Sequence, residues 1–232
     1  MNIIRDWHNS YDMKAIGFQE LPPRLRKLVD LKPYYIMSQG GCGTTYLRSF
    51  FEKYCEGDHM GYPHEFGGCC WNEHRRDPAV NINANLLFIY GNPCDATLSF
   101  FRRAFMEVPS HVTNIGGDTT GLLYGRPWTL ERYLDNGIDF FQLESHLRGW
   151  LMFDQRQYNI MFVKYDALND NILRILDWLD FPAEAAKHFA FRERASKWRS
   201  LSKTQMSQFK NMFGSYIDLQ DSLPDVLIKE KN

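Results

Sequence analysis

The sequence contains little of what defines several large classes of protein. Its 232 residues include only five cysteines, an odd number without a CxxC pair, which argues against a disulfide framework and fits a reducing compartment. No apolar run approaches the roughly 20 residues of a membrane span. The N-terminal residues MNIIRDWHNSYD are too polar for a secretory signal. We therefore expect a cytoplasmic protein without a membrane span.

The sequence also has no excess of either charge. The formal net charge is −1, so there is no basic surplus to release counterions from a nucleic acid, and nucleic-acid binding is not expected. The adjacent cysteines Cys69 and Cys70, near His64 and His74, do not have the usual spacing of a tetrahedral zinc site, so we predict no metal. Apolar residues make up 44% of the chain, which is ordinary for one globular domain.

Strand and helix patterns alternate along the chain. Strand patterns begin at Tyr34 and recur at 85–90 and 158–165. Helical patterns occupy 44–55, about 93–106, a short stretch after Thr129, 140–155, 168–179 and parts of 183–213. This alternation predicts a three-layer α/β/α fold with a central parallel sheet, which binds ligands beyond the carboxyl ends of its strands.

A glycine-rich turn follows the first predicted strand. Gly40, Gly41 and Gly43 let the backbone turn so that several N–H groups point into one concavity. The helix that follows adds its positive N-terminal end, and the hydroxyls of Thr44 and Thr45 are placed to donate to the same anion. The pattern therefore predicts a phosphate-binding loop.

The loop has no lysine of the kind found in ATPases and kinases. In those proteins lysine directly precedes the Ser or Thr, but here that residue is Gly43, and no lysine lies between Lys32 and Lys53. A small-molecule kinase that uses ATP is therefore disfavoured.

Four segments resemble, in the same order, the sulfotransferases that use 3′-phosphoadenosine 5′-phosphosulfate (PAPS). GGCGTTYL resembles the family's 5′-phosphosulfate loop, and IYGNPCDATLSFFRR resembles its 3′-phosphate segment. VKYDALNDNILRILDWLDFP and FRERASKWRS resemble the two later segments of the family. The resemblance implies a P-loop-containing nucleotide-binding fold, with PAPS as donor and 3′-phosphoadenosine 5′-phosphate (PAP) as product. It also implies a single domain, with residues 1–33 as a lead-in, 34–216 as the family-like core and 217–232 as a tail.

The resemblance assigns roles to particular residues. It places the 5′-phosphosulfate on the glycine-rich turn, adenine against two tyrosines, and the 3′-phosphate on a serine and a late basic loop. Without the resemblance, core aromatics would be the better interpretation of the tyrosines, and solvated helix charges the better interpretation of the late arginines. The implied cofactor-binding residues are Gly40, Gly41, Cys42, Gly43, Thr44, Thr45, Tyr46, Ser99, Arg103, Tyr165, Arg192, Arg194 and Lys197.

Two expected cations are missing from the pattern. Gly41 stands where the family has a basic residue facing the transferring sulfonate, and Gly91 stands where it has the arginine of RNPxD. A charge-assisted contact of this kind contributes about 1.5–3 kcal/mol, so we expect replacements. The candidates are Arg48, one turn into the first helix, and Arg102 or Arg103, for each of which a solvent-facing position is the alternative.

Transfer of a sulfuryl group also requires a general base. The resemblance places it near His59, since a histidine of near-neutral pKa suits the role, and His64, Glu65, Glu73 and His111 are alternatives. The predicted catalytic residues are thus His59, Thr44 and Arg48.

The resulting prediction is an enzyme that transfers a sulfuryl group in line from PAPS to a hydroxyl or amine of a small molecule or glycan. The loops 56–85 and 109–127 would form the acceptor site. The alternative is a catalytically inactive module of the same fold that binds a nucleotide or glycan. Apolar residues around Trp150 and Trp178 fit either a homodimer surface or the core.

Overall fold

A computed structural model describes residues 34–55, 70–73, 76–79, 85–103, 129–190 and 197–232. Within these ranges five strands form one sheet in the order β2-β1-β3-β4-β5. β1 to β4 run parallel, whereas β5 pairs antiparallel with β4. The central strands are thus parallel, as predicted, and β5 makes the sheet mixed at this edge. The strands are β1 (Tyr34–Ser38), β2 (Cys70–Glu73), β3 (Asn85–Tyr90), β4 (Ile160–Lys164) and β5 (Val226–Lys229).

Helices lie between β1 and β2 and between β3 and β4, close to where the sequence predicts them. In the part of the chain that the structure describes, short 3-10 turns lie at Tyr165–Ala167, Ala183–His188 and Trp198–Ser200. The α-helices of the same residues are α1 (Thr44–Tyr54), α2 (Pro93–Arg102), α3 (Leu130–Asn136), α4 (Leu143–Met152), α5 (Ile172–Trp178) and α6 (Lys203–Ser222).

Local side chains explain where several helices begin. The Asn92 side chain accepts hydrogen bonds from two backbone N–H groups of α2, and Pro93 occupies the first helical position. Thr129 caps α3, as predicted. Ser202 and Gln205 form a reciprocal capping box at the start of α6. These caps fix the residue at which each of the three helices starts.

Helices cover both faces of the sheet. Because side chains alternate along a strand, Leu86 and Phe88 face one side of β3 while Leu87 and Ile89 face the other. The first side packs on α2, α3, α4 and α6, and the second packs on α1 and α5. Both faces of the sheet are buried under helices, which explains why the sequences of β1, β3 and β4 are almost continuously apolar. The α/β class is confirmed.

The C-terminal segment completes the sheet. β5 was not predicted, because its four half-buried residues VLIK form too short a signal. The Lys164 backbone N–H donates to the Asp225 carbonyl at 3.0 Å, and the two side chains form an ion pair at 3.4 Å. Residues 217–232 therefore contribute to α6 and the sheet.

The two tryptophans considered for a dimer surface belong to the packing of the sheet. Trp150 is buried in the core, and the Trp178 indole N–H donates to the Leu86 carbonyl at 3.3 Å. The core interpretation of both residues fits the structure, and a homodimer stays a prediction. Among the helices of the described ranges, none combines the length and apolarity needed to cross a bilayer.

Candidate functional site

The glycine loop, residues 39–43, joins β1 to α1 in a tight turn. Gly40, Gly41 and Gly43 have φ values of 92°, 66° and 73°, the left-handed region that glycine adopts most readily. The Gly40 N–H donates to the Ser38 hydroxyl at 3.0 Å, and the Cys42 thiol donates to the Gly40 carbonyl at 3.2 Å. The three glycines are thus required by the backbone path of the loop.

The N-terminal end of α1 opens directly from this loop. Gly43 is the N-cap, and no described side chain caps the helix or places an acidic group in its first turn. Thr44 is buried and Thr45 is exposed. A helix end of this kind carries a partial positive charge that favours an anion.

The glycine loop lies directly against α2. A Cβ atom built on Gly41 would lie 3.0 Å from the Ala96 Cα and 3.1 Å from the Ala96 carbonyl oxygen. Since these neighbours are backbone atoms, no rotamer change can make room. A lysine is therefore sterically disfavoured at the position where the family resemblance would place one.

A buried glutamine fixes the base of the loop. Gln39 is fully buried, and its Nε2 donates to the Gly91 carbonyl at 3.0 Å. The Tyr216 hydroxyl, from α6, donates to the Gln39 Oε1. Burial raises the pKa of Tyr216 well above its ordinary value, so the phenol stays a neutral donor. Gly91 thus holds the loop through its carbonyl group.

Tyr165, in the 3-10 turn after β4, closes a third side of the loop. Its ring is nearly buried, and a Cβ atom on Gly43 would lie 2.7 Å from the Tyr165 Cε2. The carboxyl ends of β1, β3 and β4 thus meet around the loop. The structure brings Gly41, Gly43 and Tyr165 together, as expected for strands of one parallel sheet.

Ser99 and Arg103 form a pair at the end of α2. The Arg103 Nη2 donates to the Ser99 hydroxyl at 2.8 Å, and its Nε donates to the Ser99 carbonyl at 3.3 Å. Ser99 is buried and lies one turn after Ala96, whereas Arg103 is exposed. The guanidinium is therefore held beside a hydroxyl that still has a proton to donate, an arrangement suited to an anion.

Two further contacts connect Ala190 to α1 and Trp198 to α2. The Tyr46 hydroxyl, on α1, lies 2.5 Å from the Ala190 carbonyl oxygen and accepts from the Ala190 N–H at 3.2 Å. The Asp95 Oδ1, on α2, accepts from the Trp198 N–H at 2.7 Å. Ala190 and Trp198 are thus tied to the two helices that border the glycine loop.

The remaining predicted cations differ in their surroundings. Lys197 is exposed and directly precedes Trp198. Arg48 is half-buried and lies four residues after Thr44, so both residues share a face of α1. Arg102, at the end of α2, is exposed.

Several predicted residues lie outside the described residues. They comprise the candidate bases on loops, the two late arginines and most of the acceptor loops 56–85 and 109–127. Glu73 is the last residue of β2. The residues outside are His59, His64, Glu65, His111, Arg192 and Arg194.

Some residues at the site had no assigned role in the sequence. Gln39 and Tyr216 belong to no recognisable sequence motif. Gln39 lies 52 residues from Gly91 and 177 residues from Tyr216 along the chain, so no local pattern marks their hydrogen bonds. Asp95 falls within the family-like segment IYGNPCDATLSFFRR, which was the signal that could have identified it. Its carboxylate orients the segment before α6.

A half-buried acid, Asp139, lies in the turn before α4. The Asp139 Oδ2 accepts from the Leu143 N–H at 2.6 Å, and the Tyr133 hydroxyl lies 3.4 Å from its Oδ1. Burial raises the pKa of Asp139 to about 6, against the lowering effect of its backbone hydrogen bonds. Asp139 was not among the predicted site residues.

A cavity of about 610 Å³ lies along α6, lined by Trp198, Arg199, Met206, Lys210, Gly214, Ile217 and Asp218. None of the predicted site residues that the structure describes lines it. The cavity therefore adds no support to the site around the glycine loop.

Comparison with known proteins gives one distant likeness. The chain is 28% identical over 108 residues to the amine sulfotransferase of Oryctolagus cuniculus. The match covers 43% of this chain and 31% of the relative, so the chain aligns with about a third of that protein's length. No family model matches. The likeness indicates a distant sulfotransferase relationship.

Proposed function

We propose that the protein is a sulfotransferase that moves a sulfuryl group from PAPS to a hydroxyl or amine acceptor. One observation carries the proposal: the glycine loop, with its uncapped helix end, lies in contact with the helix that holds the Ser99–Arg103 pair. Two anion-binding elements are thereby placed side by side, as a donor with phosphate groups at two ends requires. The distant likeness to an amine sulfotransferase points in the same direction.

In this proposal the glycine loop and the hydroxyls of Thr44 and Thr45 bind the 5′-phosphosulfate. Ser99 and Arg103 bind the 3′-phosphate, and Lys197 completes that site together with the segment anchored at Ala190 and Trp198. Tyr46 and Tyr165 border the adenine. The late arginines Arg192 and Arg194 fall between the two anchors in sequence.

We also propose a replacement for the basic residue that is missing at Gly41. Because Ala96 leaves no room for a side chain at Gly41, a cation must come from elsewhere. Arg48 is the proposed replacement, since it follows Thr44 by one helical turn. Its charge would neutralise the phosphosulfate from the helix side.

The transfer itself requires one bond to form as another breaks. The acceptor oxygen or nitrogen attacks the sulfur, and the bond from sulfur to the bridging oxygen of the phosphosulfate breaks, leaving PAP. Negative charge grows on that phosphate oxygen, where the loop N–H groups and Arg48 stabilise it. His59 is the proposed base that takes the acceptor's proton.

The acceptor is proposed to be a small molecule or glycan. The relative's name refers to an amine, and we extend that class to this chain together with hydroxyl acceptors. The acceptor loops 56–85 and 109–127 would set the choice between them.

Radiolabelled PAPS tests the proposal directly. Incubation with panels of amines and alcohols should yield a labelled product, and replacing both hydroxyls, Thr44→Val with Thr45→Val, should abolish it. Thr204→Val is the matched control, because Thr204 is an exposed second residue of α6 as Thr45 is of α1. Label transfer that survives the double substitution would contradict the site.

A second candidate is a module of this fold that binds its ligand without turnover. The observation in its favour is that Gly41 is closed off by Ala96 while Gly91 contributes a carbonyl, so neither position provides a cation. PAP binding without consumption of PAPS would support the module, whereas slow hydrolysis or transfer would support the enzyme. Magnesium-dependent consumption of ATP would instead indicate a kinase.

A further inference from the structure

Three distant parts of the chain meet at the Gln39 side chain. Gln39 is the first residue of the glycine loop after β1, Gly91 follows β3, and Tyr216 lies within α6. The Gly91 carbonyl can only accept, so the amide Nε2 must face it, and the Oε1 must then accept from the Tyr216 hydroxyl. The amide orientation is therefore fixed by its partners.

The glycine loop needs such an external constraint. Three of its residues are glycines with left-handed φ values. Because glycine adopts many backbone conformations with similar ease, these residues do not hold the loop in this one conformation by themselves. Gln39 directly precedes the first of these glycines, and it is fully buried. Its two hydrogen bonds are made where water cannot replace them, so losing either leaves a buried polar group without a partner.

We propose that Gln39 and Tyr216 are positioning residues that hold the glycine loop in its anion-binding conformation and thereby set donor affinity. This inference rests on the proposed function, because it assigns the loop to the donor. It also couples the C-terminal helix α6 to the start of the site, since Tyr216 reaches Gln39 from the buried face of α6.

Tyr216→Phe tests the inference, with Tyr158→Phe as the matched control. Tyr158 also has a buried ring and donates to the half-buried Pro78 carbonyl at 2.7 Å, but it precedes β4 and so lies at the amino ends of the parallel strands, opposite the glycine loop. Both variants lose one hydrogen-bonded tyrosine hydroxyl. We expect Tyr216→Phe to weaken PAP binding by about tenfold or more. The control should keep the wild-type affinity at a temperature where circular dichroism shows both proteins folded.

Gln39→Met provides a second variant of similar length. The thioether has no N–H to give to Gly91 and is only a weak acceptor for Tyr216, so the same direction of change is expected. If a labelled acceptor is in hand, both variants should raise the KM for PAPS more than they lower kcat. A purely structural loss would not follow that split.

Amide hydrogen exchange separates this inference from the proposed function. The peptide covering Gly40 to Gly43 should exchange faster in Tyr216→Phe than in Tyr158→Phe, whether or not PAP is present. Wild-type protein that fails to bind PAP would refute the proposed function, while the exchange comparison still decides the constraint on the loop. Equal exchange in the two variants, or faster exchange with unchanged PAP affinity, would overturn the inference.

Discussion

Gly41→Ala tests the contact between the glycine loop and α2, and Gly137→Ala isolates it. The two glycines have nearly the same φ, 66° and 69°, so an alanine at either carries the same left-handed strain of about 1–2 kcal/mol. They differ in surroundings. A Cβ on Gly137 meets nothing within 4 Å, whereas one on Gly41 lies 3.0–3.2 Å from three atoms of Ala96.

The contact adds a second penalty at Gly41 alone. Forcing a carbon against the backbone of a packed helix costs about 1–3 kcal/mol. Gly41→Ala should therefore lose about 2–5 kcal/mol of unfolding free energy, and Gly137→Ala about 1–2 kcal/mol. The reduced entropy of the unfolded chain is the same for both substitutions and cancels in the comparison.

Urea unfolding of the wild type and both variants measures the difference. A loss for Gly41→Ala that exceeds the loss for Gly137→Ala by at least about 1 kcal/mol supports the contact. Equal losses would refute the argument that Ala96 excludes a side chain from position 41. For the same steric reason we expect Gly41→Lys, which supplies the cation absent from the loop, to weaken PAP binding instead of improving it.

Three further predictions concern single sites. Gly43→Ala should lower the unfolding free energy by at least about 2 kcal/mol, since its Cβ would lie 2.7 Å from the Tyr165 ring. The same variant should also lose PAP binding. Gly214→Ala should add about 0.5–1 kcal/mol in urea unfolding, because this glycine lies inside α6 with nothing within 4 Å of its Cβ. The pKa of Asp139 is about 6 in the native state, against an ordinary 3.8. Ionisation of Asp139 should therefore lower the unfolding free energy by up to about 3 kcal/mol as the pH rises from about 4 to 6. Asp139→Asn should remove this pH dependence.

Each of these has a distinct contrary result. Combining Gly43→Ala with Tyr165→Ala should recover part of the loss, and no recovery would show that the ring is not the obstacle. A Gly214→Ala variant less stable than the wild type would mean that the helix needs glycine there. The sign for Asp139 follows from its raised pKa, since the native state holds the proton more tightly. Identical pH profiles for the wild type and Asp139→Asn would contradict that assignment.

The sequence predicted the repeating parts of the fold well. The run NLLFIY between polar residues predicted β3 with its observed bounds, Asn85–Tyr90, because a strand covered on both faces is apolar throughout. Thr129 marked the start of α3 correctly through its capping side chain. β5 escaped prediction because a short edge strand buries too little surface to impose a pattern.

The site was predictable only where chemistry leaves a local trace. Glycines at positive φ marked the loop, since few other residues adopt that backbone conformation. The contact of Gly41 with Ala96 and the Gln39–Tyr216 hydrogen bond depend on how helices pack over the sheet. No local pattern encodes such pairings, because each joins residues brought together only by the tertiary fold.

Calorimetric titration with PAP, and with ATP as the control, measures whether the protein recognises the 3′-phosphate of its proposed donor. The proposed donor site has one set of groups for the 5′-phosphate and another, Ser99 with Arg103, for the 3′-phosphate. We therefore expect micromolar or tighter binding of PAP and much weaker binding of ATP, which has no 3′-phosphate. Failure to bind PAP, or equal binding of the two nucleotides, would contradict the proposed donor site.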